Sequence, residues 1–269
     1  MGNSRLAGKI AIVAGAGSSG EPAGTGYAAA MLFAQEGAKI LLVDNNRERV
    51  QRTQQNIAEA GGLSSIFLAD VTQEDACIAM MDACRERYGG LHILFNNVAT
   101  YGSGKITDVS DAQIDAALAI NLKSMMLTCK HAVPLMAASG GGSIINIASI
   151  DGLRAGFSAN VSYAVTKAGA IQLSRVMAVH HGPDNIRVNA IAPGHIHGAF
   201  VRHLDENTRS LRRKAGPLGS EGNAWDVAWA AVFLASDEAR WISGVVLPVD
   251  AGLLAATPLA VLANILDRP

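Results

Sequence analysis

Short aliphatic runs alternate with longer amphipathic stretches along almost the whole chain, and this alternation limits the fold more than any other feature. Seven runs are rich in Val, Ile and Leu and show little polar alternation, as expected of strands covered on both faces. They are Ile10–Ala14, Ile40–Val43, Ser65–Leu68, Ile93–Phe95, Ser143–Ile147, Arg187–Ile191 and Val245–Val249. The stretches between them have helical periodicity and include Thr25–Glu36, Arg47–Ala60, Glu74–Tyr88, Asp111–Ala138 and Val161–His181.

Strands and helices in this order predict βαβ units with right-handed crossovers. The expected fold class is therefore α/β, a doubly wound parallel sheet of about seven strands with helices on both faces. No shift in composition and no Pro- or Ser-rich linker divides the 269 residues, so we predict a single domain over 1–269. Ligands of such sheets bind beyond the carboxyl ends of the strands. The residues that follow each aliphatic run are therefore the candidates for function.

The composition argues against several classes of protein. The net charge is −1 and no long basic run occurs, so there is no electrostatic footprint for nucleic acid. No apolar stretch approaches the roughly 20 residues that cross a bilayer, and the opening MGNSRLAGK lacks the apolar core of a signal peptide. Cys77, Cys84 and Cys129 lie in helical segments without a CxxC pair, which predicts buried thiols. We expect a cytoplasmic protein with no membrane, nucleic-acid or metal partner.

A glycine-rich turn separates the first predicted strand from the first predicted helix. Glycines at such a turn let the backbone approach a pyrophosphate, whose charge the helix N-terminus stabilises. One register uses Gly15, Gly17 and Gly20 as a GxGxxG pattern. That match is weak in a chain with 28 glycines, and it places the Glu21 carboxylate beside the phosphates.

A second register of the same turn uses Gly15, Gly24 and Gly26, and it leaves Ser18–Ala23 as an enlarged loop. Gly26 then adjoins the helix directly, and no carboxylate needs to face the phosphates. We prefer this register. An ordinary glycine turn without a ligand is the less favoured interpretation, because the turn lies between the first strand and the first helix.

Asp44 closes the second strand, 18 residues after Gly26. An acid at this place hydrogen-bonds the ribose hydroxyls of an adenine dinucleotide and repels a 2′-phosphate. No Arg or Lys lies in the Gly15–Gly26 turn to compensate that phosphate, so the sequence favours NAD over NADP. Arg47 and Arg49 weaken the inference, although we expect both on the exposed face of the following helix.

Tyr163 and Lys167 are four residues apart in a predicted helix and therefore share a face. A phenol titrates near ~10, and a nearby ammonium stabilises the phenolate. On their own, the two residues are better explained as amphipathic side chains at a helix surface. Two other residues, Ser149 and Asn121, strengthen the interpretation of Tyr163 and Lys167 as a reactive pair. Ser149 follows a strand at the ligand-binding end, and Asn121 lies inside Asp111–Ala138, where an amide is unfavourable without a specific partner.

Taken together and in order, these motifs resemble the compact single-domain branch of the short-chain dehydrogenase/reductase superfamily. The likeness extends from Lys9 to about Gly252. The segments that carry it are Gly24-Thr25-Gly26, Asp70-Val71, Asn96-Asn97-Val98-Ala99, Asn121-Leu122, Ser149, Tyr163-x-x-x-Lys167, Arg187-Val188-Asn189 and Pro193-Gly194.

The resemblance implies a Rossmann-type fold and an NAD-dependent oxidoreductase that acts on a small secondary alcohol or ketone, in a homotetramer or dimer. It makes Tyr163 the general acid/base, and Lys167 the residue that lowers the pKa of Tyr163 and holds the nicotinamide ribose. Ser149 would position the substrate oxygen, and Asn121 would support a proton-relaying water. Cofactor contacts are expected from Gly15, Ser18, Gly24, Thr25, Gly26, Asp44, Asp70, Val71, Asn97, Tyr163, Lys167, Pro193, Gly194 and Ile196. The alternative is a catalytically idle dinucleotide-binding sensor or scaffold on the same fold.

The sequence also departs from the family pattern. The glycine turn is longer than usual, so phosphate contacts from Ser18 do not follow directly from the family. The spacing from Ser149 to Tyr163 is one residue longer than the commonest one, which suggests an insertion around Ser158–Asn160. Gly198 stands where many relatives have a threonine near the nicotinamide.

Two more segments are interpreted through the resemblance. Residues 195–218 would form a lid over the substrate. An anionic substrate met by Arg202 or His197 is one alternative, and a solvated helix with outward charges is the favoured one. The apolar tail 253–269 would either dock on the core or pack across a neighbouring subunit. The expected pocket walls are Tyr101, Ile150, Leu153, Phe157 and Phe200.

Overall fold

A seven-stranded parallel sheet lies at the centre of the computed structural model, which describes residues 4–156 and 158–266. Its strand order is β3-β2-β1-β4-β5-β6-β9, which confirms the predicted doubly wound sheet. The order reverses between β1 and β4, and that is the position at which such sheets bind ligands. The strands are β1 (Ile10–Ala14), β2 (Lys39–Asp44), β3 (Leu63–Leu68), β4 (Ile93–Asn96), β5 (Gly142–Ile147), β6 (Ile186–Pro193) and β9 (Val246–Val249). A separate two-stranded sheet pairs β7 (Ile196–His197) with β8 (Gly222–Asn223) and has no counterpart in the sequence prediction.

Helices cover both faces of the large sheet, and the apolar side chains of β1 alternate between the two faces. Ala11 and Val13 point into one core cluster, whereas Ile10 and Ile12 point into the other. The first cluster is completed by α1, α2 and α8, and the second by α3, α5 and α6. The helices are α1 (Thr25–Gln35), α2 (Arg47–Glu59), α3 (Glu74–Tyr88), α4 (Asp111–Leu118), α5 (Ser124–Ala138), α6 (Val161–His180), α7 (Glu206–Ala215), α8 (Ala224–Ala235) and α9 (Leu262–Ile265). None of the helices in the described part of the chain is long and apolar enough to span a membrane.

The helix predicted over Asp111–Ala138 is present, but it is not a regular α-helix throughout. A π-helical turn, Ala119–Lys123, separates α4 from α5, and Asn121 lies in it. The Asn121 amide forms hydrogen bonds with both backbone groups of Thr100, at 2.7 and 3.0 Å. Single π-helical turns within longer helices are frequent at functional sites. Thr100 is the specific partner that the amide of Asn121 needs within a helix, and this pairing occurs at the π-helical turn.

The three cysteines are buried and free, as predicted. Burial raises the pKa of Cys77 to about 11 and the pKa values of Cys84 and Cys129 to about 12. Thiols with such pKa values are poor nucleophiles and poor metal ligands near neutral pH.

The described part of the tail packs on α7, which belongs to the expected lid segment 195–218, called the lid below. A 3-10 turn, Pro258–Val261, and the following α9 both contact α7. Val261 is buried there, and Leu253 is buried beside Ile150. Residues 267–269 of the predicted tail lie outside the described residues.

A chain of buried polar side chains joins the middle of the sheet to the helices on one face. Asn96 on β4 donates to Asn146 on β5 at 2.9 Å, and Asn146 donates to Ser174 on α6 at 3.0 Å. Thr128 on α5 donates to Asn96 at 2.8 Å. Because each of these groups is paired, the network adds no unsatisfied donor or acceptor to the core.

Asn146→Ala should therefore destabilise the fold strongly, because it leaves the amide of Asn96 with only the Cys129 sulfur as acceptor and the hydroxyl of Ser174 without its donor. We expect the free energy of unfolding to fall by about 2–4 kcal/mol. Urea denaturation at neutral pH measures this change. Asn207→Ala, at an exposed position of α7, is the matched control and should cost much less. Equal losses for the two variants would contradict the network's role.

Candidate active site

A cavity of about 900 Å³ lies at the carboxyl ends of the central strands. Its wall includes Gly15 directly after β1, Asp44 at the end of β2 and Asn97 directly after β4. Ala148 directly follows β5 and Pro193 ends β6, and both line it too. This is the edge of the sheet at which the sequence analysis expected a ligand.

The glycine turn forms one end of the cavity. A Cβ on Gly26 would lie 1.9 Å from the carbonyl oxygen of Gly15, so only glycine permits the helix to approach the turn this closely. Gly24 caps α1 without any side-chain hydrogen bond, and Gly24, Thr25 and Gly26 all line the cavity. The free backbone N–H groups at the start of α1 are therefore available to an anionic group such as a phosphate. Gly20 does not line the cavity, so this geometry matches the register through Gly24 and Gly26.

Ser18, expected to contact the cofactor, is turned away from the cavity. It is buried, its backbone N–H donates to the carbonyl oxygen of Arg49 at 3.0 Å, and its hydroxyl accepts from the N–H of Gly20 at 3.3 Å. Ser19 lines the cavity instead. Arg202 of the lid donates to the hydroxyl of Ser19 and to its carbonyl oxygen, so the enlarged loop and the lid are in contact.

Asp44 lines the cavity beside the glycine turn. Its carboxylate accepts from the N–H of Gly17 at 2.8 Å and from the N–H of Asn46 at 2.9 Å. A Cβ on Gly17 would lie 2.6 Å from the Asp44 Oδ2 atom, so the turn and the carboxylate are closely fitted. Arg49 also lines the cavity, whereas we had expected it only on the outer face of α2. One carboxylate and one guanidinium therefore share this end.

The other expected cofactor residues lie on the same wall. Asn97 donates to the carbonyl oxygen of Gly15 at 3.2 Å, which holds the loop after β4 against the glycine turn. Asp70 accepts from the backbone N–H and the hydroxyl of Thr72, at 3.0 and 2.7 Å. The remaining expected residues on the wall are Val71, Tyr163, Lys167, Pro193, Gly194 and Ile196.

Tyr163, Lys167 and Ser149 meet at the centre of the cavity wall. The spacing of four residues on α6 places Lys167 Nζ 5.5 Å from the ring centre of Tyr163. Lys167 is buried, and its ammonium donates to the carbonyl oxygen of Ile147 at 2.7 Å. Two of the three side chains thus come from α6 and the third from the end of β5.

Burial shifts the two titratable groups in opposite directions. It raises the pKa of Tyr163 to about 12, with smaller contributions in the same direction from Asp151 and Tyr101 and an opposing hydrogen bond from Ser149. It lowers the pKa of Lys167 to about 8. The sequence analysis expected Lys167 to lower the pKa of Tyr163. The net shift of the Tyr163 pKa is upward, because loss of water around the phenol is the largest effect, and Lys167 is not among its causes.

Asn121 does not line the cavity. Besides its two bonds to Thr100, its amide donates to the hydroxyl of Thr166 on α6 at 3.1 Å. Asn121 is fully buried, and it ties the segment after β4 to α6. Its side chain therefore supports the cavity wall from behind.

Aromatic rings cover Tyr163 on the side of the lid. The ring centres of Tyr101 and Phe200 lie 5.4 and 6.2 Å from that of Tyr163. Ile150 lines the cavity as expected, whereas Leu153 is exposed and does not. Phe157, also expected as a wall, lies outside the described residues.

Sequence reasoning missed two charged residues on this part of the wall. Asp151 follows Ser149 by two positions, and Arg212 belongs to the lid helix that we expected to point its charges outward. Asp151 follows the end of a strand, so the expectation that ligands bind beyond strand ends could have identified it. For Arg212 the sequence held no signal, because α7 is polar on nearly every side.

The part of the chain that the structure describes contains no group of side chains that could hold a metal ion. No cluster of three or more His, Cys, Asp or Glu side chains there is arranged to hold an ion. His195, half of the His-x-His pair in the lid, directs its Nδ1 atom to the carbonyl oxygen of Arg212 at 3.2 Å.

Comparison with known proteins gives consistent matches along nearly the whole chain. Residues 20–254 match a family model described as enoyl-(acyl carrier protein) reductase. The 3-oxoacyl-[acyl-carrier-protein] reductase FabG of Thermotoga maritima is 32% identical, over 93% of this chain and 99% of the relative. The 2,5-dichloro-2,5-cyclohexadiene-1,4-diol dehydrogenase LinX of Sphingobium indicum is 36% identical, over 92% and 97%. A solved Burkholderia xenovorans structure, described as a short-chain dehydrogenase/reductase, has a TM-score of 0.90 at 39% identity, over 94% and 99%.

The buried ammonium of Lys167 should make the stability of the fold depend on pH within a defined window. Between its folded pKa of about 8 and its ordinary value of 10.5, the unfolded chain binds more protons than the folded chain. The free energy of unfolding therefore rises with pH through this interval, and below it the burial cost is constant. The raised pKa of Tyr163 acts in the opposite direction only above its ordinary value of 10.0.

We expect wild type to gain about 2–3 kcal/mol over Lys167→Met as the pH rises from about 8 to about 10, at about 1.4 kcal/mol for each pKa unit. Urea denaturation of both proteins along this pH range measures the difference. Because all other titratable groups are common to both chains, parallel pH profiles would show that Lys167 keeps an ordinary pKa in the fold.

Proposed function

The chain belongs to the short-chain dehydrogenase/reductase superfamily of oxidoreductases, and from this we propose that it transfers a hydride between NAD and a small secondary alcohol or ketone, with Tyr163 as general acid/base. The observation that carries the proposal is the shared wall of the cavity. Tyr163, Lys167 and Ser149 line the same space as the glycine turn, at the edge of the sheet where such folds bind nucleotides.

The residues of this chain fit a dinucleotide. The uncapped start of α1 would receive the pyrophosphate, and Asp44 the ribose hydroxyls of the adenosine. Asp70, Val71 and Asn97 would surround the adenine and its ribose. Pro193, Gly194 and Ile196 would lie along the nicotinamide. Ser19 replaces Ser18 in this assignment because Ser19 is the one that lines the cavity.

A bound nicotinamide supplies the hydride chemistry, and the protein supplies orientation and proton transfer. In reduction, Tyr163 donates its hydroxyl proton to the substrate oxygen, and in oxidation it accepts the proton of the substrate hydroxyl. Ser149 holds the same oxygen through its hydroxyl. Burial keeps the phenol protonated at neutral pH, which suits the reductive direction.

Lys167 acts beside Tyr163 in two ways. Below its pKa of about 8 it carries a positive charge, which favours the phenolate and assists proton release. Its ammonium also has donors to offer to a ribose besides the bond to Ile147. Asn121 keeps the segment around Thr100 in place, which preserves the shape of the cavity beside Tyr163.

The preference for NAD rests on Asp44. A carboxylate beside the adenosine ribose disfavours the 2′-phosphate of NADP by charge repulsion. Arg49 on the same wall acts in the opposite direction, so the preference is a balance between two charges. We assign the larger effect to Asp44, because the glycine turn holds its carboxylate in place through the N–H of Gly17.

The substrate side of the cavity favours a ring-shaped body. Tyr101, Ile150 and Phe200 supply apolar and aromatic walls around Tyr163. The name of the Sphingobium relative describes a cyclic diol as its substrate, whereas that of the Thermotoga relative describes an acyl chain. We further propose that residues 1–269 act as one domain with a lid at 195–218, in a cytoplasmic homo-oligomer.

A screen of cyclic, aromatic and acidic alcohols with NAD, followed by NADH absorbance, tests the reaction class. With the best substrate, Tyr163→Phe should lower kcat by on the order of 10²- to 10⁴-fold while cofactor affinity is kept, because only the proton donor is lost. Tyr27→Phe is the control, since the Tyr27 hydroxyl accepts from Asn56 away from the cavity. Substantial residual turnover in Tyr163→Phe would remove Tyr163 from the role. A wild-type chain that binds NADH and turns over no alcohol would favour the sensor.

We expect the choice of cofactor to depend on the charge of Asp44. Asp44→Asn keeps an acceptor for the N–H of Gly17 and removes the charge. The ratio of kcat/KM with NAD to that with NADP should fall by on the order of 10- to 100-fold. Arg49→Ala should change the ratio in the opposite direction, because it removes the cation that would attract the 2′-phosphate. Steady-state kinetics with both cofactors measures the ratios, and an unchanged ratio in Asp44→Asn would refute the assignment.

A further inference from the structure

One guanidinium of the lid lines the cavity and carries an unpaired donor. Arg212 lines the cavity, and its Nη2 atom donates to the carbonyl oxygen of Ile196 at 3.1 Å. Its Nε atom is buried and has no hydrogen-bond partner among the described residues. A buried donor left unpaired costs on the order of 1–3 kcal/mol, and more when it is charged. A ligand that supplies an acceptor removes that cost.

The other arginines of α7 are already paired with acids. Arg209 binds Glu221 at 2.7 Å, and Arg213 binds Glu206. Within residues 4–156 and 158–266, no carboxylate comes within 4.0 Å of the Arg212 guanidinium. Arg212 is therefore the arginine of this helix that forms no ion pair, although the carboxylates of Glu221 and Asp151 act on its charge from a greater distance.

Among the described residues of the cavity wall, the other basic groups are neutral, engaged or distant from Arg212. Burial is the largest cause that lowers the pKa of His195, so its imidazole is neutral there. The ammonium of Lys167 is held by the carbonyl oxygen of Ile147, and Arg49 lies at the opposite end beside Asp44. Arg212 is thus the positive group that a substrate meets near the lid.

Asp151 places a negative charge on the same wall as Arg212. Its carboxylate also lines the cavity and accepts from the amide of Asn160 at 2.7 Å. It lies close enough to Tyr163 to raise the pKa of the phenol. Asp151 also acts on Arg212, so it faces both groups. An acidic group on a substrate is repelled by Asp151 and attracted to Arg212, and it is favoured where its contact with the guanidinium outweighs that repulsion.

We propose that Arg212 binds a carboxylate group of the substrate, so that the chain acts on a hydroxy acid or the corresponding oxo acid. This inference rests on the proposed function, since it names the substrate class of the same site. A guanidinium matches a carboxylate with two parallel N–H···O bonds, and a partly buried one does so with little competition from water. Ile150 and Phe200 provide the apolar wall for the hydrocarbon between the acid and the reacting carbon.

The test measures binding to the NADH-saturated protein by calorimetry, with cyclohexanecarboxylate and its neutral amide, cyclohexanecarboxamide, as probes. Wild type should bind the acid more tightly by roughly 10- to 100-fold, as expected for one charge-assisted contact. Arg212→Met should abolish this preference. Arg213→Met removes an equal charge from the same helix, where it is paired with Glu206, and should keep the preference.

Arg212→Lys keeps the charge but not the planar pair of donors, so an intermediate preference is expected. Melting temperature and NADH affinity are measured for every variant, and if Arg212→Met fails to fold, the comparison of wild type with Arg212→Lys decides. Equal affinity of wild type for the two probes, including no measurable binding of either, overturns the proposal. So does a preference that survives unchanged in Arg212→Met or Arg212→Lys.

None of these readouts depends on turnover, so the two proposals can fail separately. A chain that binds NADH and prefers the acid but turns over no alcohol refutes the oxidoreductase proposal and leaves the assignment of Arg212 standing. An active enzyme without any preference for the acid does the reverse.

Discussion

Burial of the sheet on both faces decides where this chain can carry out chemistry. Successive residues of a strand point to opposite faces, and both faces here are covered by helices, so a strand interior must be apolar or fully paired. Buried polar residues of the strands such as Asn96 and Asn146 obey the rule because they are hydrogen-bonded. Polar groups that meet a ligand are thereby confined to strand ends and crossovers. The cavity and its reactive side chains lie there for that reason.

The same exclusion of water explains the electrostatics of the centre. It disfavours the charged form of any group, so it raises the pKa of an acid and lowers that of a base. Tyr163 and Lys167 follow this rule in opposite directions from one cause. The usual argument from sequence treats the lysine as a fixed positive charge beside the phenol. In this protein the lysine is itself a weak base, and its charge is available only on the acidic side of its own pKa.

Periodicity was sufficient to predict most of the fold, because helices and strands that bury one or both faces leave their period in the sequence. The strand-end rule likewise predicted most of the cavity wall. What it missed depends on contacts between distant parts of the chain. The π-helical turn at Asn121 accompanies its bonds to Thr100. The orientation of Ser18 away from the cavity accompanies the contact of Ser19 with Arg202, 183 residues away. Periodicity does not tell which arginine of α7 faces the cavity, because that is decided by how the helix docks.

The enlarged loop and the lid meet at Gly198. A Cβ at this position would lie 3.2 Å from the carbonyl oxygen of Ala23, closer than Cβ atoms normally approach, and the N–H of Ala199 donates to that same oxygen at 3.4 Å. Any larger residue at position 198 would therefore require Ala23 or the lid to shift by a few tenths of an ångström. The position of the loop and the choice of residue at 198 are thus coupled through one carbonyl oxygen.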